Sequence, residues 1–171
     1  MPLDDQVFRL YEFRVRRRLR KNAVTPYRHV DGVISPIHLA AIFRKTLDGD
    51  ARENFFAFHF DIRTRLIGIE LVAIGNDFGV TVHPSNVFRG ALLSGAAGIA
   101  VAHNHPSGDA TPSPEDDELT ECLRAGGKLL GIPVMDHVIV TDAAYYSYLE
   151  QQRFPWDAKT IPTSAPTTTS P

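Results

Sequence analysis

The run Ile99-Ala-Val-Ala-His-Asn-His105, then Pro106-Ser-Gly-Asp109 and Ser113-Pro-Glu-Asp116, constrains the fold more than any other part of the chain. An apolar segment that ends in histidines and is stopped by proline and glycine predicts a buried strand followed by a sharp turn. Residues two apart on a strand project from one face, so His103 and His105 aim at a common point while Asn104 faces away. Ser113 then reads as a helix N-cap, with Pro114 at the first helical position and acidic residues from Glu115 to Glu118 in the first turn. The helix is expected to run to Gly131. Its residues Leu119, Cys122, Leu123, Leu129 and Leu130 are expected to form one buried stripe, which brings Asp116 beside the end of the strand.

Two imidazoles and a carboxylate that leave a fourth position open form the donor set of a catalytic zinc centre, whereas a structural site is closed. A simpler reading exists for part of this stretch. Ser-x-x-Asp before an apolar run is also a capping box, in which Asp116 turns back on its own helix start. A lone histidine ordinarily fills a core or surface position. Two on one strand face, with a carboxylate following, set this stretch apart.

His103-x-His105, seven residues, then Ser113-x-x-Asp116 resembles the JAMM/MPN+ metallopeptidase signature. Val82-His-Pro-Ser-Asn-Val-Phe88, His103-Asn-His-Pro-Ser-Gly108, Thr111-Pro-Ser113 and Leu130-Gly-Ile-Pro-Val-Met-Asp-His137 resemble the RadC branch, whose members carry a JAB-type domain. The resemblance extends from about Glu53 to Glu150. It implies an α/β fold with three α-β-α layers and a mixed sheet, arranged as in cytidine deaminases. It also implies one zinc ion per chain on His103, His105 and Asp116, and a zinc metallopeptidase or isopeptidase acting on a peptide or isopeptide substrate.

The family uses a glutamate on an early strand to move the proton of the metal-activated water. Glu70, five residues before Gly75, takes that role by resemblance, although Asn76 stands where the family has threonine. From the residues alone Glu70 reads equally well as a solvent-facing strand carboxylate. The implied chemistry is attack of activated water on an amide carbonyl. Glu70 passes the proton to the departing amine, and the Ser113 hydroxyl helps to stabilise the oxyanion.

The RadC branch brings a second class into view, a DNA-repair-associated module that binds or processes nucleic acid. Residues 1–30 hold eight Lys/Arg against three Asp/Glu, in a chain whose net charge is -2. The densest basic run, Arg14 to Lys21, would contact phosphates or an acidic partner, or form a solvated charged face. It lacks interleaved aromatics for base stacking. No helix-hairpin-helix pattern, found in longer members, is read ahead of the domain.

Other metal chemistries are excluded by residue type. A nucleobase deaminase needs His-x-Glu and Pro-Cys-x-x-Cys, but position 105 is histidine and the chain has one cysteine. A zincin needs His-Glu-x-x-His, which is absent. One cysteine also forbids a disulfide framework, and Cys122 is expected to be a buried thiol. With 43% hydrophobic residues the chain supports one sizeable core. No secretory h-region or bilayer-length apolar stretch is found, so a cytoplasmic protein with no membrane partner is expected.

Three regions are expected. A basic strand-and-helix leader spans 1–52, the RadC-like JAMM/MPN domain spans 53–150, and a disordered Thr/Pro/Ser-rich tail spans 151–171. The leader holds a strand-like stretch from Val7 to Val15 and a helix from Ser35 to Leu47. Within the domain, Phe55–Phe60 and Leu66–Ile74 form a hairpin. A helix over Pro84–Ser94 turns Val87, Phe88, Ala91 and Leu92 inward, and Val134–Val140 and Ala144–Leu149 close the sheet. Asp136 and His137 are read either as orienting a metal ligand or as structural hydrogen-bonding groups at a strand edge. His83 reads as a strand-to-helix junction, and His29, His38 and His59 as surface or core residues.

Overall fold

The computed structural model of the chain describes residues 35–47, 49, 51–75 and 81–156. Along these residues the order is α1 (Pro36–Leu47), β1 (Asn54–Phe60), β2 (Leu66–Ile74), α2 (Pro84–Ser94), β3 (Gly98–Asn104), α3 (Pro114–Leu130), β4 (Val134–Val140), β5 (Ala144–Ser147) and β6 (Gln152–Pro155). The strands make one sheet in the order β2-β1-β3-β4-β5-β6. Strands β3 and β4 run parallel, and the other neighbours pair antiparallel. The sheet is therefore mixed.

Every residue of β1 and β3 is buried, because helices cover both sheet faces at the centre. Alternate residues serve alternate layers. Phe56, Phe58, Phe60, Ala100 and Ala102 pack with Leu39, Ala40, Ile42 and Phe43 of α1. Phe55, Ala57, Ile99 and Val101 face Val87, Phe88 and Ala91 of α2 and Leu123 of α3. The result is a three-layer α-β-α fold. A parallel pair needs a crossover connection, and α3 supplies it between β3 and β4. Its N-terminus therefore starts from the end of β3, where the histidines lie.

Three expectations are corrected. On α3 the buried positions are Asp116, Thr120, Leu123 and Gly127, while Cys122, Leu129 and Leu130 are exposed. Counting apolar residues rotated the stripe, because two polar side chains occupy its first turns. Gly127 completes the inward face where a Cβ would lie 2.5 Å from the Ile132 carbonyl oxygen, so the helix can approach that backbone closely. On α2, Val87, Phe88 and Ala91 are buried, but Leu92 is 57% exposed.

The expected tail also begins too early at 151. Gln152–Pro155 pairs with β5, Phe154 stacks on Tyr145 with ring centroids 5.1 Å apart, and Trp156 packs on the α1 side of the core. Arg44 of α1 lies over the Trp156 ring, 4.6 Å from its centroid, a cation-π contact. These aromatics bury enough surface to order a short edge strand that composition alone read as loop. The segment Val7–Val15, the basic run Arg14–Lys21, His29, Asn76 and residues 157–171 lie outside the described residues. Among the described residues, no helix is long and apolar enough to cross a membrane.

Candidate metal centre

His103 is buried near the end of β3, and His105 follows one residue after the strand, its N–H bonded to the Val140 carbonyl. The two rings converge as the strand alternation requires. His103 Nε2 and His105 Nε2 stand 2.9 Å apart, and Asp116 of α3 completes the group. Asp116 Oδ1 lies 3.1 Å from His103 Nε2, and Oδ2 lies 3.3 Å from His105 Nε2.

The turn after the strand orients His105. Gly108, at a φ of 83° that side chains resist, sends its N–H to the His105 carbonyl. Asp109 Oδ1 accepts from the N–H and hydroxyl of Thr111 and braces the turn. The Asp109 carbonyl then meets His105 Nδ1 at 2.8 Å. A carbonyl only accepts, so Nδ1 carries the hydrogen and the Nε2 lone pair points into the cluster.

Ser113 caps α3 in a full capping box. Its hydroxyl donates to Asp116 Oδ2 at 2.7 Å and accepts from the Asp116 N–H at 3.1 Å, while its own N–H meets Oδ2 at 2.8 Å. The cap and the metal reading of Asp116 are thus compatible, because the cap occupies Oδ2 and Oδ1 faces His103. Burial pushes the Asp116 carboxyl up, yet the adjoining His103 and His105 rings and the Ser113 hydroxyl outweigh it and hold the group well below the usual carboxylate range. For His105, burial alone would lower the ring, but the adjoining Asp116 carboxylate, the bond to the Asp109 carbonyl and the Glu53 charge raise it.

These donors suit zinc. A tetrahedral shell with bonds of about 2.0–2.2 Å puts neighbouring ligand atoms about 3.3 Å apart. His103 Nε2 and Asp116 Oδ1, 3.1 Å apart, fall close to that spacing, the two Nε2 atoms stand closer at 2.9 Å, and one ligand atom from each of the three residues lies within 4.8 Å of the others. Two imidazole nitrogens and one carboxylate oxygen would supply three ligands, and His105 and Asp116 line a cleft with Glu53, Phe55, Ser107, Ser113, Glu115 and Leu119.

Glu70 is not in this cleft. It pairs with Ala57 and points under α2, its Oε2 3.5 Å from His59 Nε2. A Cβ at Gly90 would fall 1.6 Å from that oxygen, so the glycine makes the room. Strand β2 reaches the site end of the sheet at Ile74, opposite Asn54, and Glu70 lies four residues short, about 13 Å at strand rise. Burial raises the Glu70 carboxyl, against the opposing charge of Arg89, and burial lowers His59.

Glu53, which sequence reading passed over, lines the cleft, as does Glu115 at the start of α3. Glu53 directly precedes β1, and β1 pairs antiparallel with β3, with Phe55 opposite His103. Antiparallel pairing puts the start of one strand beside the end of the other, and that rule would have found it. Asn104, facing away from the histidine side, fixes the segment: its Oδ1 accepts from the Asn54 N–H and its Nδ2 donates to the Arg52 carbonyl, each at 2.8 Å. The Glu53 carbonyl accepts from the Gly75 N–H at 2.7 Å.

Asp136 proves structural. Its carboxylate accepts from the N–H groups of His137 and Leu149 and from the Ser147 hydroxyl, and burial pushes it up to about 6. His137 sits behind His103 and is fully buried. His83 precedes α2 as its N-cap residue, and His38 Nδ1 meets the Ser35 hydroxyl.

Residues 33–153 match the family model described as a RadC-like JAB domain. The chain belongs to the RadC-like JAB domain family. A UPF0758 protein of Methanosarcina acetivorans is 37% identical over 139 residues, covering 81% of this chain and 59% of that protein. A UPF0758 protein of Methanococcoides burtonii is 44% identical over 100 residues, covering 58% of this chain and 44% of that protein. A UPF0758 protein of Cyanothece sp. PCC 7425 is 40% identical over 122 residues, covering 71% and 50%. The chain thus spans about half the length of these relatives. The RadC-like match begins at residue 33 and so takes in α1.

Proposed function

We propose that this RadC-like JAB domain is a zinc-dependent hydrolase of amide bonds, acting on a peptide or isopeptide linkage. The observation that carries the reading is the convergence of His103, His105 and Asp116 at the mouth of a cleft that also holds a free-standing carboxylate, Glu53. The two Nε2 atoms and Asp116 Oδ1 would hold the ion. Bound zinc would act as a Lewis acid toward a carbonyl and bring the pKa of a coordinated water to about 7.

Glu53 takes the role first given to Glu70. It accepts the proton from the attacking water and returns it to the amine that leaves, which is general base then general acid work by one carboxylate. Phe55 and Leu119 give the cleft an apolar wall that strengthens these charge interactions by excluding water. Ser113 acts through Asp116. Its hydroxyl hydrogen is already committed to Oδ2, so holding the carboxylate explains it better than donating to an oxyanion. The nucleic-acid reading drawn from Arg14 to Lys21 falls outside the described residues.

The test is zinc-loaded protein assayed against α-linked peptides and lysine ε-linked isopeptides in parallel. Chelator-sensitive cleavage of one class, lost in Glu53→Gln while zinc is retained, is the expected result. Protein that stays zinc-free in excess metal, or cleavage that survives Glu53→Gln, sinks the reading.

A further inference from the structure

Behind His103 runs a chain of hydrogen bonds in which each partner leaves the next only one choice. The Asp116 carbonyl can only accept, and Thr120 Oγ1 lies 2.6 Å from it, so the one hydroxyl hydrogen of Thr120 goes there. Thr120 Oγ1 also lies 2.7 Å from His137 Nδ1. With its hydrogen spent, the oxygen can only accept, so His137 carries its hydrogen on Nδ1. His137 Nε2 is then a bare acceptor, 2.9 Å from His103 Nδ1. His103 must therefore carry its hydrogen on Nδ1, and its Nε2 lone pair is turned toward His105 and Asp116.

We propose that Thr120 and His137 are positioning residues that set the tautomer of His103 and so make its Nε2 an electron-pair donor to a metal. The relay has work to do because a competing arrangement lies close by. Asp116 Oδ1, 3.1 Å from His103 Nε2, would welcome a hydrogen on that atom. Such a bond would block the ligand position. In the neutral ring the relay opposes it, since moving the one hydrogen from His103 Nδ1 to Nε2 would leave two acceptors facing each other in a fully buried chain. The rings are also held in plane by packing. Phe55 stacks on His103 with centroids 5.7 Å apart and 14° between planes, and Tyr148 stacks on His137 at 5.0 Å and 10°. Tyr148 is itself anchored by its hydroxyl, which donates to Asp117 Oδ1 at 2.7 Å.

The relay starts at the backbone of Asp116 and ends at the ring of His103, so one metal ligand dictates the protonation of another through groups that never touch the ion. Groups of this kind, removed singly, typically lower metal affinity about 10–100-fold.

The inference rests on the metal reading above, and the experiment separates the two. Thr120→Val keeps the shape and removes the hydroxyl, and Thr120→Ser restores it. In metal-free wild-type protein, nitrogen-15 NMR of the imidazoles should show His103 with hydrogen on Nδ1. In Thr120→Val the hydrogen on His137 should move to Nε2 and that on His103 to Nε2, with zinc affinity about 10–100-fold weaker by chelator competition. Thr120→Ser should recover both signatures. His137→Gln, whose amide oxygen can accept from His103, should bind zinc more tightly than His137→Leu. A Thr120→Val protein with the wild-type tautomer and affinity overturns the relay. Wild-type protein that shows the Nδ1 hydrogen but takes up no zinc overturns the metal reading instead.

Discussion

Two histidine–carboxylate groups lie on the same face of the sheet, yet their surroundings shift them in opposite directions. At the end of β3, the two histidine rings and the Ser113 hydroxyl around Asp116 hold it ionised, and Asp116 in turn raises His105. Under α2, burial raises Glu70 and lowers His59, and His59 Nε2 and Glu70 Oε2 have no hydrogen-bond partner within normal distance. The first group has donors and a cleft, whereas the second has space made by Gly90 and little else. Residue type alone does not distinguish a metal site from a buried polar pair. What distinguishes them is whether the surrounding backbone and hydroxyls fix the lone pairs on a shared point.

The largest expected effect breaks the comparison outright. His105→Ala should abolish zinc uptake, measured by elemental analysis after loading, because two remaining ligands do not hold the ion. His59→Ala should retain about one zinc per folded chain, as a site with three protein ligands would. Equal zinc content in the two variants would mean that the groups had been assigned the wrong way round.

A second contrast concerns the carboxylates. Glu53→Gln should lower hydrolysis at least about 100-fold with zinc content unchanged, as loss of a general base does. Glu70→Gln should stay within about twofold, because Glu70 points toward Gly90 and His59 and not into the cleft. A reversed ranking of the two rates would return the proton-moving role to Glu70.

A smaller effect sharpens the account of how Asp116 is held. Ser113→Ala removes the capping box and should cost about 1 kcal/mol of stability by thermal or denaturant unfolding. Zinc should also bind more weakly, since Oδ2 loses its hydroxyl partner. Ser113→Thr keeps the oxygen and should recover most of both. Unchanged zinc affinity in Ser113→Ala would show that the histidines alone orient the carboxylate.

Much of this was legible in the chain. The strand, turn and capped helix from Ile99 to Leu130 follow from local rules, and those rules bring His103, His105 and Asp116 together. What escaped depended on pairing between distant segments. Glu53 reaches the cleft only because β1 runs antiparallel beside β3, a fact with no local signal. Thr120 is inward because the helix stripe begins with polar groups, which an apolar count skips. The strand Gln152–Pro155 is ordered by Tyr145, Trp156 and Arg44, contacts invisible to a composition that reads as tail.

The smallest effect probes the second group by pH. Burial raises Glu70 above its ordinary 4.5, so in the window above that value the folded state keeps a proton that the unfolded chain has lost. Stability from this residue is therefore full below the ordinary value and falls as pH rises through the raised one. His59 has the opposite sense. Its depressed pKa contributes stability above the ordinary 6.5, which is lost as pH falls through the lowered value. At pH 8 the cost that remains is a carboxylate with a buried oxygen facing a neutral ring. Glutamine carries no charge to desolvate, so Glu70→Gln should match wild type near pH 4 and exceed it at pH 8. The Glu70 side chain is 38% exposed, and solvent screening holds the gain below about 1 kcal/mol. Melting curves at the two pH values would decide it. A wild type more stable than Glu70→Gln at pH 8 would mean that a cation, Arg89 or a charged His59, outweighs the burial of the carboxylate, which would erase the contrast with the cluster at the end of β3.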